Sequence, residues 1–168
     1  GSRRLPTDVT VLLSGARASG AIAHVLEGHY VKGESPVAMP KAIKNDVQIA
    51  GIRNAHLRDG VAMVRSLMGI EKTVDEGKTL TEMGVADILL KRRSKGDLYF
   101  DLSFESICGF GPNGAIVHYT ATPESDSTIS KGNLLLIDSG ANYLDGTTDI
   151  TRTYPLGELT EDEKRFYT

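Results

Sequence analysis

Two segments in the middle of the chain have the apolar spacing of amphipathic helices. Between residues 44 and 68, apolar side chains recur at steps of three and four, and polar Asn54 fills one place in the series. The apolar members of that series are Val47, Ala50, Leu57, Val61, Val64 and Met68. A second helix is predicted after the capping box Thr-Leu-Thr-Glu at residues 79–82, with Arg92 and Arg93 as solvated residues of its last turn. Its predicted buried face consists of Met83, Ala86, Leu89 and Leu90.

After Gly96 the pattern becomes that of β-strands. Strands are predicted at residues 98–104, 115–119, 134–138 and 147–154, and a second capping box at residues 160–163 opens a terminal helix. Helices followed by antiparallel strands indicate an α+β fold, with the helices packed on one face of a sheet.

The first part of the chain has a different organisation. Residues 9–31 have the pattern strand, helix, strand, which is a βαβ-like unit too small to hold a core of its own. We therefore assign residues 1–36 to the tail of a preceding domain and its linker, and residues 37–168 to a second, truncated domain.

Two aspartates occupy unusual positions in the predicted strands. Asp138 ends the apolar run of residues 134–137, and Asp149 lies inside a Thr- and Ile-rich strand, where aspartate is disfavoured. Each position also has an ordinary interpretation. Asp138 would accept hydrogen bonds from the turn that follows it, and Asp149 would be exposed or would pair with Arg152.

A predicted hairpin limits what these two aspartates can share. If Asp145 and Gly146 form a two-residue turn, Asp149 lies opposite Asn142, on the same sheet face as Asp138. The two carboxylates would then be about 13 Å apart, at roughly 3.3 Å per residue, which one metal ion cannot bridge. Shared ligation would require a wider loop or a bulge near Gly140.

Composition and charge exclude a few classes of partner. The 22 acidic and 19 basic residues give a formal charge of -3, without the basic patch that nucleic-acid binding requires. No apolar run reaches the roughly 20 residues of a membrane span, so we expect neither a nucleic-acid nor a membrane partner. The single cysteine, Cys108, excludes an internal disulfide and suits a cytoplasmic location. We interpret it as a small buried side chain rather than a nucleophile.

Three motifs together resemble the Xaa-Pro aminopeptidase family. They are Gly-Pro-Asn-Gly-Ala-Ile-Val-His-Tyr at residues 111–119, Leu-Ile-Asp-Ser-Gly at 136–140, and Asp-Gly-Thr-Thr-Asp-Ile-Thr-Arg-Thr at 145–153. Residues 41–45 and 53–56 resemble the entry to the first helix of the same catalytic domain. The resemblance covers residues 36–168 and implies the first half of a pita-bread fold, which methionine aminopeptidase and creatinase share.

The resemblance also implies a two-metal site and a reaction. Asp138 is implied to be the first metal ligand, and Asp149 is implied to bind both ions, usually manganese and sometimes zinc or cobalt. His118 matches a family histidine near the substrate, where an imidazole stabilises the tetrahedral species. The implied reaction removes the N-terminal residue from a peptide with proline in the second position.

Part of the implied site is absent from the sequence. The family uses two Asp, one His and two Glu as ligands, but no histidine follows Asp149, and Glu158, Glu161 and Glu163 do not match the family's later motifs. We therefore expect the chain to be an inactive fragment of an enzyme that holds metal weakly. We also expect a homodimer, in which a second copy covers the apolar surface and strand edge left open by the missing half.

Two alternative functions stay open. A pita-bread domain that has lost catalysis would bind peptides or proteins, although the trio His118, Asp138 and Asp149 has no purpose in such a module. A prolidase-type dipeptidase would use the same residues on shorter substrates.

Overall fold

The computed structural model describes residue 6, residues 9–26 and residues 28–167. The chain forms two compact units, which divide between Asn45 and Asp46. Among the described residues, no helix combines the length and the apolar character needed to cross a membrane.

The first unit contains the predicted strand, helix and strand. Strands β1 (Val11–Leu13) and β2 (Tyr30–Lys32) pair in parallel and are connected by helix α1 (Gly20–Val25), which Ser19 caps. A short helix α2 (Ala38–Ala42) follows. The unit thus extends nine residues beyond the boundary drawn at residue 36, and its origin as the tail of a preceding domain stays a prediction.

The second unit begins with two helices and continues with antiparallel strands. Its elements are α3 (Asp46–Asp75), α4 (Glu82–Arg93), β3 (Tyr99–Leu102), β4 (Ile107–Phe110), a 3-10 helix (Gly111–Ala115), β5 (Asn133–Ser139), β6 (Ala141–Tyr143), β7 (Gly146–Thr147), β8 (Ile150–Leu156) and α5 (Glu161–Tyr167). One sheet has the order β4-β5-β8 and a second has the order β3-β6-β7. The strand predicted at residues 115–119 is wrong, because that segment contains the end of the 3-10 helix and an irregular loop.

The core lies between the two helices and the β4-β5-β8 sheet. Along β5, Leu135 and Ile137 are completely buried, while Leu134 and Leu136 on the other face are only partly buried. The helices contribute Ile70, Val85 and Leu89, which are also completely buried and belong to the same cluster. This arrangement agrees with the predicted α+β class.

The predicted apolar series of α3 does not face this core. Val47, Leu57, Val64 and Met68 are 57–82% exposed, and the completely or almost completely buried residues are instead Ala55, Asp59, Met63, Ser66 and Ile70. The backbone of α3 and the backbone of the β6–β7 hairpin lie very close together, which explains which face of α3 is buried. A Cβ on Gly51 would lie 2.1 Å from the Asp145 carbonyl oxygen, and one on Gly146 would lie 2.9 Å from the Cα of Ile52. Small residues on this side therefore allow the β6–β7 hairpin to lie against α3.

The predicted buried face of α4 is also shifted. Of the predicted face, Leu89 is completely buried and Ala86 packs against the core, but Met83 and Leu90 are 41% and 37% exposed. Glu82 and Arg93, at the two ends of the helix, are completely buried instead. The helix begins with Thr81 as its N-cap, whose hydroxyl accepts from the Gly84 amide. The capping box predicted at residues 79–82 is therefore wrong, because the Glu82 side chain is engaged elsewhere. The second capping box is confirmed: the Thr160 amide donates to Glu163 at 2.8 Å, and the Glu163 amide donates to Thr160 at 3.2 Å.

Arg93 takes part in a buried ion pair instead of lying in solvent as predicted. Its Nε donates to Asp59 Oδ1 at 2.6 Å and its Nη2 donates to Asp59 Oδ2 at 2.9 Å. The Tyr143 hydroxyl donates to the same Oδ1 at 2.9 Å, so the group connects α3, α4 and β6. Burial and the neighbouring Asp59 carboxylate raise the pKa of Tyr143, which keeps its hydroxyl a donor.

Removing one member of this group is expected to destabilise the second unit strongly. Arg93→Met keeps most of the side-chain volume but leaves the Asp59 carboxylate buried without its cation. We expect the free energy of unfolding to fall by about 3–5 kcal/mol in urea titrations. Arg92→Met, one residue earlier on the exposed side of α4, is the matched control and should change it by less than about 0.5 kcal/mol. Equal losses in both variants would contradict the assignment.

Candidate metal centre

The hairpin that carries both aspartates has one uniform register. Asp138 pairs with Thr151 and Ser139 pairs with Ile150, and beyond Gly140 the pairs are Asn142 with Thr147 and Tyr143 with Gly146. No residue is inserted on either side between these pairs, so counting along the chain puts Asp149 level with Gly140, and both lie between the strands. The predicted turn at Asp145 and Gly146 is therefore wrong: the turn residues are Leu144 and Asp145, and the register differs from the predicted one by two residues.

This register brings the two candidate ligands close together. Thr151 lies opposite Asp138 and two residues after Asp149, which directly precedes β8, so the alternation of an extended chain would put Asp149 on the side of Asp138 as its diagonal neighbour. Such neighbours are about 7–8 Å apart, rather than the 13 Å of the predicted hairpin. No bulge is needed. Glycine at position 140 instead allows the two backbones to approach closely, because a Cβ there would lie 2.0 Å from the Thr148 carbonyl oxygen.

The surroundings of Asp138 are suited to a cation. The residue is half-buried on the sheet face opposite the helices, and its Oδ1 atom is buried without a hydrogen-bond partner. An unpaired buried carboxylate oxygen is costly unless a cation or donor reaches it. Asp149 is exposed and directly precedes β8. The two carboxylates thus offer oxygen ligands of the kind that hard divalent ions prefer.

The loop that contains His118 begins on this same face. A Cβ on Gly114 would lie 3.5 Å from the Leu136 Cβ, and Leu136 precedes Asp138 by two positions on β5. The backbone of Gly109 also approaches Gly114 closely, since a Cβ on Gly109 would lie 2.8 Å from the Gly114 nitrogen. His118 itself is exposed and has a φ of +57°, a left-handed conformation that is uncommon for residues other than glycine.

The remaining ligands implied by the resemblance have no counterpart here. Within residues 9–26 and 28–167, no group of three or more His, Cys, Asp or Glu side chains is arranged to hold a metal ion. Glu163 is engaged with Thr160 in the cap of α5, and Glu161 pairs with Lys164 at 3.0 Å. Cys108 is buried as predicted, and burial raises the pKa of its thiol to about 12, so it is protonated at neutral pH.

Comparison with known proteins identifies the family. The model of metallopeptidase family M24 matches residues 50–168. The chain belongs to metallopeptidase family M24. One curated relative is a probable Xaa-Pro aminopeptidase P of Laccaria bicolor, which is 44% identical over 165 residues. The aligned part is 98% of this chain and 26% of the relative. Aminopeptidase P2 of Arabidopsis thaliana is 47% identical over 80% of this chain and 19% of its own length. The chain thus spans about a quarter of the length of these relatives or less.

Solved structures of an aminopeptidase and a prolidase share the fold. X-prolyl aminopeptidase from Caenorhabditis elegans superposes with a TM-score of 0.84 at 36% identity, covering 91% of this chain and 25% of that one. A prolidase from Thermococcus sibiricus gives 0.70 at 25% identity, covering 93% of this chain and 41% of that one. The resemblance to the Xaa-Pro aminopeptidase family and the α+β, pita-bread type of fold are confirmed.

One buried group beside the histidine loop, the Glu82 carboxylate, was not predicted from the sequence. Glu82 was interpreted as part of a capping box, yet its carboxylate accepts hydrogen bonds from the loop that contains His118. The signal available in the sequence was the second threonine: Thr81 is also a good N-cap, which would free Glu82 for another role.

Because an oxygen of Asp138 has no hydrogen-bond partner, Asp138 can be tested as a metal ligand in this chain. Mn²⁺ at tenfold excess over its Kd should stabilise the wild-type chain by about 1.4 kcal/mol in thermal unfolding. Asp138→Asn should lose this gain, because it removes the charge that the ion would neutralise. Asp87→Asn, at an exposed position on α4, is the control and should retain it. An Asp138→Asn chain that Mn²⁺ stabilises as much as wild type would exclude Asp138 as a ligand.

Proposed function

We propose that this chain is part of a dinuclear-metal aminopeptidase that removes the N-terminal residue preceding proline. The observation that carries the proposal is the buried Asp138 oxygen without a partner, on a strand whose register with β8 puts Asp149 two residues before the partner of Asp138. The names of the curated relatives, Xaa-Pro aminopeptidase P and aminopeptidase P2, support the same reaction. The C. elegans relative is described as a cytosolic enzyme with a di-nuclear active site.

In this proposal Asp138 and Asp149 hold two divalent ions together with three ligands from a longer protein. The resemblance implies one His and two Glu for those three ligands, and manganese as the metal. When bound, such ions would lower the pKa of a water molecule and so supply the nucleophile. The residues of this chain hold and space the ions, since diagonal neighbours at about 7–8 Å allow two carboxylates to reach one centre.

His118 is proposed to donate a hydrogen bond to the scissile carbonyl oxygen as negative charge develops there. Its exposure on a loop that begins on the aspartate face supports this role. A donor of this kind stabilises the tetrahedral species more than the planar substrate, which is what accelerates the chemical step. The substrate bond is a tertiary amide, because the proline nitrogen has no N–H, so the site cannot depend on a donor at that atom.

A prolidase-type activity is the second candidate. The likeness to the T. sibiricus prolidase supports it, although that likeness has a lower TM-score and a lower identity than the likeness to the C. elegans aminopeptidase. The two activities differ in substrate length, since a dipeptidase accepts only Xaa-Pro itself.

The activity is tested on the full-length protein with added Mn²⁺. We expect release of the first residue from a longer Xaa-Pro peptide, and slower or no cleavage of an Xaa-Pro dipeptide. Asp149→Ala should reduce kcat by more than about 100-fold, because loss of a direct ligand should exceed the effect of a ligand's supporting residue. The isolated chain of residues 1–168 should have no activity.

Asp162→Ala is the matched control, since Asp162 is an exposed carboxylate on α5 and should leave kcat unchanged. Full activity in the Asp149→Ala enzyme would refute the metal assignment. Cleavage of the dipeptide alone would favour the prolidase, and peptide binding without cleavage would favour a non-catalytic module.

We further propose a cytosolic location for the full-length protein, as for the C. elegans relative, and self-association of this chain. The exposed apolar series on α3 supports association, because contiguous apolar surface of this kind marks an interface. Arg53 and Arg65 flank the series and are exposed, so two copies meeting there would bring like charges together. Screening by salt should then strengthen the dimer.

Light scattering across a range of protein concentrations tests the dimer. We expect a monomer–dimer equilibrium that shifts toward dimer as the salt concentration rises. Leu57→Ser with Val64→Ser should shift it to monomer, whereas Phe166→Ser, at a still more exposed apolar residue on α5, should not. A wild-type chain that stays monomeric at all concentrations would contradict the proposal.

A further inference from the structure

Glu82 has the densest set of hydrogen bonds of any carboxylate in the described part of the second unit. It is completely buried, and its Oε1 accepts from the Phe110 amide at 2.7 Å and from Asn113 Nδ2 at 3.0 Å. Its Oε2 accepts from the Tyr119 hydroxyl at 2.8 Å and from the Ser127 amide at 3.0 Å. Every partner is a donor, which suits a carboxylate, since an ionised carboxylate can only accept.

In the sequence, these four hydrogen-bond partners of Glu82 lie on both sides of His118. Phe110 and Asn113 precede it, Tyr119 follows it directly, and Ser127 lies at the end of the loop. Two backbone hydrogen bonds also attach the end of the loop to the start of α4. The Glu82 amide donates to the Ser127 carbonyl oxygen at 3.1 Å, and the Ile129 amide donates to the Leu80 carbonyl oxygen at 2.8 Å. The start of α4 therefore holds the loop on both sides of His118.

The backbone of His118 needs such support. A φ of +57° is unfavourable for a residue with a Cβ, and such a conformation persists only where the surrounding contacts hold it. The His118 side chain is exposed, so its own packing does not supply them. Tyr119, the next residue, is buried, and its hydroxyl contacts Glu82 and also the Ser125 carbonyl oxygen at 3.1 Å.

We propose that Glu82 is a positioning residue, which holds the loop of residues 111–127 so that His118 faces the substrate. The inference rests on the proposed function for the role of His118, and on the contacts above for the role of Glu82. Glu82 touches neither substrate nor metal in this proposal. Its effect on catalysis passes through His118.

The test compares two buried carboxylates in the full-length enzyme. Glu82→Gln places an amide nitrogen against donors and should reduce kcat on an Xaa-Pro peptide by about 100-fold, the effect of a misplaced catalytic group, with Mn²⁺ binding unchanged. Glu82→Asp retains the charge and should recover part of the loss. Asp59→Asn is the matched control: it is equally buried, contacts Arg93 and Tyr143 instead of the loop, and should lower the melting temperature without changing kcat below it.

A double-mutant cycle determines whether Glu82 acts through His118. Adding Glu82→Gln to His118→Gln should slow the enzyme no further, because the positioned group is already gone. A second full loss in the double variant would overturn the proposal. So would an unchanged kcat in Glu82→Gln.

Hydrogen exchange separates failure of this proposal from failure of the proposed function. Amides of residues 111–127 should exchange faster in Glu82→Gln and at the wild-type rate in Asp59→Asn. If the wild-type enzyme cleaves no Xaa-Pro peptide, the proposed function fails, and exchange alone decides whether Glu82 orders the loop. Unchanged exchange in Glu82→Gln would overturn the proposal in either case.

Discussion

The ion pair between Asp59 and Arg93 lies where three elements of the second unit meet. Its two charges are completely buried, so each depends on the other, and the Tyr143 hydroxyl completes the coordination of the carboxylate. Because the three residues come from α3, α4 and β6, the pair sets the position of both helices against the hairpin. The same hairpin continues into β5, which carries Asp138, and Asp149 directly precedes β8. The pair therefore stabilises the unit that contains the candidate metal centre, whereas the spacing of the two aspartates follows from the register of the hairpin itself.

Helix α4 has a second buried charge at its other end, and the two ends hold different parts of the unit. Arg93 at the C-terminal end is bound to α3 and β6, and Glu82 at the N-terminal end is bound to the loop that contains His118. A rigid helix thus connects the aspartate hairpin with the histidine loop. The pairing of β4 with β5 fixes the start of the histidine loop beside the strand of Asp138, and Glu82 on α4 holds the loop itself.

The sequence pattern failed where these buried charges lie. Apolar spacing predicted the exposed series on α3 as its packing face, because the pattern treats a buried position as an apolar one. The real buried face includes Asp59 and Ser66, and its small residues admit the backbone of the hairpin. The capping box at residues 79–82 failed for the same reason, since Glu82 has better partners in the loop than in its own helix. At residues 160–163, where no tertiary partner competes, the same kind of motif forms as predicted.

The sequence by itself determined the α+β class, the placement of two helices before the strands of the second unit, the family, and Asp138, Asp149 and His118 as candidate site residues. These depend on local patterns and motifs, which a single chain displays directly. Only the tertiary structure decided the hairpin register, which face of each helix is buried, and what Glu82 and Arg93 bind. Those outcomes depend on partners far away in the sequence: a shift of two residues in one turn changes the separation of the aspartates from about 13 Å to about 7–8 Å.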